Sequence, residues 1–227
     1  MNLFRVARPA STARHVATTA AQIVAFWSTF LWFLPAAVQH VGERLGEPSF
    51  ALPSLRWLGP VLFALASALG LTSAWWMSTR GRGTPLPLAT AREFVVTGPY
   101  RFVRNPMALA GIAQGVAVGL WRDSPCVVLY AIAGGLVWHF VARPPEEADL
   151  VARFGEPYLA YRRRVALWLP QLPNAVTLGL ATGLGIGGAC LVLATDQPPT
   201  QLARCALLAP LLGLVAELSS RMRRRTR

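Results

Sequence analysis

The sequence predicts an all-α fold: a polytopic membrane bundle of about six transmembrane helices, with a cytoplasmic interfacial helix after the fourth. Composition is the first ground. Apolar residues fill 54% of the 227 positions and charged residues 14%, with a mean hydropathy of +0.42; a soluble domain carries about a quarter charged residues. The second ground is the division of the chain into six apolar runs. The third is the placement of the arginines between them.

The runs cover about residues 21–38, 57–77, 106–120, 125–142, 175–194 and 202–218. A span needs about 20 residues, with about 17 as the usual minimum. The first run is long, contains Pro35 and has no small-x-small site close behind it, so it reads as an uncleaved span and not a signal peptide. The third is short, and Phe102 and Val103 are expected to lengthen it by a turn. The fourth starts cleanly, with Ser124 as cap and Pro125 at the first helical position. Only Trp121, Arg122, Asp123 and Ser124 separate the third from the fourth, which makes a tight hairpin. Gly111, Gly115 and Gly119, and again Gly179, Gly183 and Gly187, recur every four residues and let membrane helices approach closely.

All 22 basic residues are arginine. Eighteen lie in the N-terminal tail, the loops after the second and fourth runs, and the C-terminal tail; four, Arg44, Arg56, Arg122 and Arg204, lie on the other side. The positive-inside rule then puts both termini and both long loops in the cytoplasm. The basic N-terminal tail sets topology first and contacts anionic lipid second.

The net charge of +12 does not point to nucleic acid, because the arginines fall between apolar runs and not on one soluble face. The lack of lysine excludes a Schiff base, a Walker lysine and pyridoxal-phosphate chemistry. Cys126, Cys190 and Cys205 form no CxxC, and His15, His40 and His139 lack metal-ligand spacing, so no metal site is expected. "GLGIGG" at 183–188 matches GxGxxG but lies inside an apolar run, without the strand and helix that a dinucleotide fingerprint requires.

The hairpin brings the two cytoplasmic loops together, "GPYRFVRNPM" (98–107) and "RPPEEADLVARFGEPYLAYRRRV" (143–165). The second reads as a separate helix that starts at Pro144 and Pro145 and ends at Gly155, with Glu146, Glu147 and Asp149 matching its macrodipole. The following segment is expected at the interface, with Tyr158, Tyr161 and Trp168 at headgroup level. His139, one turn before Arg143, is read as a satisfied core histidine, or as an acceptor-orienting group if it faces the hairpin pocket. Trp138 and Gln114 read as packing and interhelical bonding residues.

This ordered pair, "GPYRFVRNP" and "EEADLVARFGEPYLAYRRRVALWLP" across one helical hairpin, resembles the isoprenylcysteine carboxyl methyltransferase and phospholipid methyltransferase superfamily. The resemblance covers about residues 98–170; Asn105 stands where the family has histidine, and Ala108 where it has tyrosine. It implies S-adenosylmethionine as cofactor and a lipid-like or apolar acceptor: a carboxylate, thiol or amine. The expected location, a bacterial inner membrane, accompanies this resemblance. Cofactor contact is implied at Gly98, Tyr100, Arg104, Asn105, Pro106, Gly111, Glu146, Glu147 and Tyr158, with Arg104 and Glu147 as the catalytic pair. Arginine suits this cofactor because its planar fork grips a carboxylate. Glu146 or Glu147 suits the ammonium or the ribose hydroxyls, and Tyr100 and Tyr158 offer aromatic faces to the adenine or the sulfonium. The helix starting at Pro106 points free N–H groups at an anion, while Asn105 can instead serve as its cap.

The expected organisation is an N-terminal tail, first span and loop at 1–54, a methyltransferase-like membrane core at 55–172, and two further spans with a basic tail at 173–227. The partners expected are the bilayer and a lipid or apolar small-molecule acceptor. Two alternatives stand beside the methyltransferase. One is a sterol-reductase-like membrane enzyme using NADPH, against which the Glu146–Glu147 pair and "FGEPYLAY" speak. The other is a non-enzymatic membrane protein with a degenerate site, although the polar residues concentrate at one membrane face and not deep in the spans.

Overall fold

The computed structural model describes Ala7 and residues 9–50, 56–84 and 90–168. The chain divides into two compact units, Met1–Pro170 and Gln171–Arg227, and the described residues belong to the first. The expected fifth and sixth spans, the second glycine stripe and the GxGxxG match lie outside the described residues.

Among the described residues six α-helices follow in order: α1 (Thr12–Trp27), α2 (Leu34–Arg44), α3 (Leu58–Thr79), α4 (Pro106–Trp121), α5 (Pro125–Val137) and α6 (Arg143–Arg164). A 3-10 turn, Gly98–Arg101, precedes α4. No strand occurs among the described residues. A π-helical turn, Ser28–Phe33, joins α1 to α2, and another, Trp138–Ala142, joins α5 to α6. The joined pairs run Thr12–Arg44 and Pro125–Arg164, and with α3 they are three helices long and apolar enough to cross a membrane.

Both π turns have the same cause. Proline has no N–H, and its ring clashes with the carbonyl of the preceding turn. Each π turn sits directly ahead of a proline, Pro35 or Pro144, and widens the helix to i→i+5 bonding. The N–H of Leu34 reaches Thr29 O, and that of Arg143 reaches Trp138 O. The next carbonyl in each series would serve the proline and so needs another donor. Tyr130 Oη donates to Phe30 O at 3.3 Å, and Arg143 Nε donates to His139 O at 3.1 Å.

Three expectations change here. The helix after the fourth apolar run does not start separately at Pro144; it continues the fourth run through the π turn, and the break comes at Gly155 (φ 55°, ψ −134°). Phe102 and Val103 do not lengthen α4, because Asn105 Oδ1 caps it by accepting from Ala108 N–H at 2.9 Å. With 16 residues, α4 measures about 24 Å against a hydrocarbon layer of about 30 Å. Tyr158 and Tyr161 do not face outward as lipid-contacting anchors: both are buried in an aromatic cluster around Phe94, whose ring lies 5.8 and 5.3 Å from theirs.

α4 packs most extensively on α3 and next on α5. A Cβ on Gly59 would stand 2.7 Å from Ala117 O, and one on Gly115 2.8 Å from Ala131 Cβ, so these contacts require glycine. Gln114 Nε2 donates to Ser67 Oγ across α3 and α4 at 3.0 Å, the interhelical bond its position suggests. At one end of the bundle, Glu47 accepts from Ser124 Oγ at 2.8 Å and from Cys126 N–H at 2.5 Å, while Ser124 caps α5. At the other end, Ser78 Oγ donates to Thr19 Oγ1 at 2.8 Å. The two arginine-rich loops meet at this second end.

Candidate functional site

The tight turn ahead of α4 sets the site's position. Gly98 adopts φ 62°, and a Cβ there would lie 2.4 Å from Trp76 Nε1, so only glycine lets the chain cross this indole. The turn directs Tyr100 into the bundle, where it is buried, and Tyr161 Oη donates to Tyr100 O at 2.6 Å. Burial, then Tyr161 and Glu146, hold the Tyr100 phenol far above its ordinary range, so it stays neutral. Arg104 follows, with its N–H bonded to Ala166 O at 2.9 Å.

The guanidinium of Arg104 meets the first turn of α6. Its Nη1 lies 2.6 Å from Glu147 Oε1, and both side chains are 15% exposed. The other carboxylate oxygen of Glu147 faces Arg143 Nη1 at 3.2 Å and Arg162 Nη1 at 3.9 Å. Arg143 is held for this by its Nε bond to His139 O, so the π turn ahead of Pro144 aims a second cation at Glu147. Arg104 Nε is enclosed without a partner. Leaving a buried donor unpaired costs about 1–3 kcal/mol.

Glu146 lies next to this cluster, beyond the apolar 125–142 stretch. Burial, then Glu147 and Asp149, raise its carboxyl to about 7. Two turns further on, Arg153 ties the preceding loop to α6: its Nη1 bonds Thr90 Oγ1 at 3.0 Å and Asp149 Oδ2 at 3.1 Å, and its Nη2 bonds Ala91 O. Phe94, carried by that loop, stacks on Phe154 at 5.2 Å.

These groups border one cavity of about 990 Å³, at the upper end of the roughly 300–1,000 Å³ range of small-molecule sites. Its wall is predominantly apolar. Tyr100, Arg104, Asn105, Gly111, Glu146, Glu147 and Tyr158 all line it. Gly98 and Pro106 do not, and act by shaping the turn and the helix start. The glycine stripe of α4 divides its work: Gly115 and Gly119 pack on α5, whereas a Cβ on Gly111 would meet nothing within 4 Å and would project into open cavity. His139 is absent from the lining; it is half-buried, and its Nδ1 accepts from Trp168 Nε1 at 3.2 Å, so the ring is satisfied without being a core residue.

Sequence reading missed the wall contributed by α1 and the π turn after it. Its one legible signal was Gln22, a lone amide in an apolar run. It also missed Arg143 as a partner of Glu147, although their i,i+4 spacing was visible.

Residues 55–156 match the phospholipid methyltransferase family. The chain is 31% identical over 143 residues to methanethiol S-methyltransferase 2 of Bradyrhizobium diazoefficiens, covering 58% of this chain and 50% of that protein. It is 33% identical over 150 residues to methanethiol S-methyltransferase of Mycobacterium tuberculosis, covering 60% and 54%. A third relative, methanethiol S-methyltransferase of Pseudomonas deceptionensis, is 28% identical over 173 residues, covering 74% and 62%. The chain thus spans about half the length of the first two of these relatives.

Proposed function

We propose that this membrane methyltransferase, a member of the isoprenylcysteine carboxyl methyltransferase and phospholipid methyltransferase superfamily through residues 55–156, uses S-adenosylmethionine and methylates an apolar thiol. The observation that carries the reading is Arg104, paired to Glu147 at 2.6 Å at the border of a largely apolar cavity, with its Nε–H enclosed and unpartnered. All three relatives are named as methanethiol S-methyltransferases, which supports a thiol acceptor.

The residues present fit this cofactor. Arg104 has donors beyond the one used by Glu147, and these suit a carboxylate. Glu147 and Glu146 supply acceptors for an ammonium or for hydroxyls. Gly111 leaves room where any side chain would fill the cavity. When bound, S-adenosylmethionine supplies an electrophilic methyl group on a cationic sulfur. Tyr158 and Tyr100 stand in the wall with neutral aromatic faces suited to that cation. The apolar lining excludes water, and alignment with a desolvated thiolate leaves little need for further chemical groups.

The test uses purified full-length protein in nanodiscs with methyl-labelled S-adenosylmethionine and an alkanethiol, with the product identified by mass spectrometry. A labelled thioether is the expected product. Label on a phospholipid amine would replace the acceptor, and no labelled product would overturn the reading. Heating with each cofactor should show stabilisation by S-adenosylmethionine and none by NADPH.

A further inference from the structure

The first helix lies outside the matched stretch 55–156, yet it forms one wall of the cavity. Its contribution is a single stripe: Gln22, Ile23, Phe26, Trp27, Phe30 and Leu31. An α-helix would carry a four-residue spacing gradually off one face, because its turn holds 3.6 residues. The wider π turn Ser28–Phe33 opposes that drift and keeps Phe30 and Leu31 on the stripe. Tyr130, itself a lining residue on α5, fastens this turn through Phe30 O.

The stripe has a polar end. Thr19, one turn before Gln22, is bonded to Ser78 at the end of the bundle where the charged cluster lies. Gln22 Oε1 is shut off from solvent and has no hydrogen-bond partner, although its side chain borders the cavity. The terminal torsion of glutamine is broad, so a small rotation turns this oxygen to the cavity. An enclosed, unpartnered amide oxygen in an otherwise apolar wall is costly unless a ligand completes it. From Gln22 to Leu31 the stripe measures about 14 Å, room for an alkyl chain of about eight carbons.

We infer that α1 and its π turn form the acceptor chamber: Gln22 accepts a hydrogen bond from the S–H of the neutral thiol as it binds, before the thiol loses its proton to water and reacts as the thiolate, and the stripe to Leu31 holds an apolar tail well longer than one carbon. The inference rests on the methyltransferase reading and adds the acceptor's size and polarity to it.

Two wild-type measurements test it. The first is kcat/KM across methanethiol, butanethiol and octanethiol, expected to rise at least tenfold from the first to the last; a value that falls with chain length overturns the inference. The second needs no catalysis. Octanethiol carrying a terminal diazirine is irradiated with the protein in nanodiscs, and labelled residues are mapped by mass spectrometry. Labelling on 27–31 that excess octanethiol suppresses is expected, whereas labelling elsewhere or labelling without saturation overturns the chamber.

Gln22→Met then tests the head group. It should raise KM for octanethiol about fivefold, the size of one hydrogen bond, with cofactor affinity unchanged. An unchanged KM removes Gln22 from the chamber and overturns its role. If the variant fails to bind cofactor, the two wild-type measurements decide the chamber, and octanol against its methyl ether as inhibitors decides the head group, with a fivefold preference for octanol expected and parity refuting it. Absence of both thiol methylation and cofactor stabilisation in the wild type is failure of the functional reading, and the photolabelling still reports on the chamber.

Discussion

Arg104 and Glu147 stand 43 positions apart in the chain and 2.6 Å apart in space, at the junction of the turn before α4 and the first turn of α6. Both are largely buried, so the pair is shielded from the screening that makes surface ion pairs weak. Arg143 and Arg162 crowd the same carboxylate, leaving an excess of positive charge next to the enclosed Arg104 Nε.

Arg104→Lys keeps the charge and loses the planar fork. Cofactor affinity should fall about tenfold or more, equivalent to about 1.4 kcal/mol, while the protein still inserts. Titration calorimetry in nanodiscs measures it; unchanged affinity in Arg104→Ala would remove this residue from the site. Glu147→Gln should weaken cofactor binding and leave turnover at saturating cofactor largely intact. Turnover that collapses while binding survives would put Glu147 in the chemical step.

The glycines of the bundle should separate into two classes. Gly59→Ala forces a methyl group against Ala117 O and should destabilise the protein by about 1–3 kcal/mol. Gly111→Ala meets no atom and should leave thermal stability unchanged or slightly raised, since alanine is the better helix former. Gly111→Leu fills the cavity and should abolish cofactor stabilisation without unfolding the chain. Thermal unfolding with and without cofactor distinguishes these outcomes.

Glu146 gives the stability a pH dependence of predictable sign. Its carboxyl is raised to about 7 in the fold from an ordinary value of 4.5. Between these values the folded state keeps a proton that the unfolded chain has lost, so stability declines as pH rises from about 4.5 to about 7 and then levels off. Glu146→Gln should flatten that decline. Melting temperatures across this interval measure it, and equal slopes in wild type and variant would refute the assignment.

Arg153→Ala removes the ties from α6 to Thr90 and Ala91. Amide exchange in residues 90–95 should accelerate about tenfold while the centre of α4 stays protected. Uniform exchange across both would show that Arg153 supports the whole unit and not this loop.

The topology expected from the arginines is tested by reporter fusions. Fusions after Arg80 and Arg143 should read cytoplasmic and one after Arg122 should not. A cytoplasmic signal at Arg122 would break the hairpin between α4 and α5.

Local features were legible in the sequence because their causes are local. Apolar runs marked α3, α4 and α5, Ser124 and Pro125 marked a helix start, and Gly155 marked a break. Hairpin connectivity alone brought Arg104 and Glu147 to the same end of the bundle. The reach of α6 was misread because Pro144 and Pro145 look like a helix start, and only the side-chain donors of Tyr130 and Arg143, which take up the carbonyls the prolines leave free, show how a helix survives a proline by widening its turn. Tyr158 and Tyr161 were misread because an aromatic beside arginines suits an interface as well as a core; Phe94, more than 60 positions away, supplies the surface that buries them.

The residues of the charged cluster, their common end of the bundle and the helical class were therefore determined by the sequence itself, through hydropathy, charge placement and the short hairpin. Which carboxylate pairs with Arg104, which glycine opens to the cavity and that the first helix closes it depend on side chains brought together from distant positions. Such contacts follow from how whole helices seat against one another, at glycines where backbones come within van der Waals contact, and no local pattern carries that information.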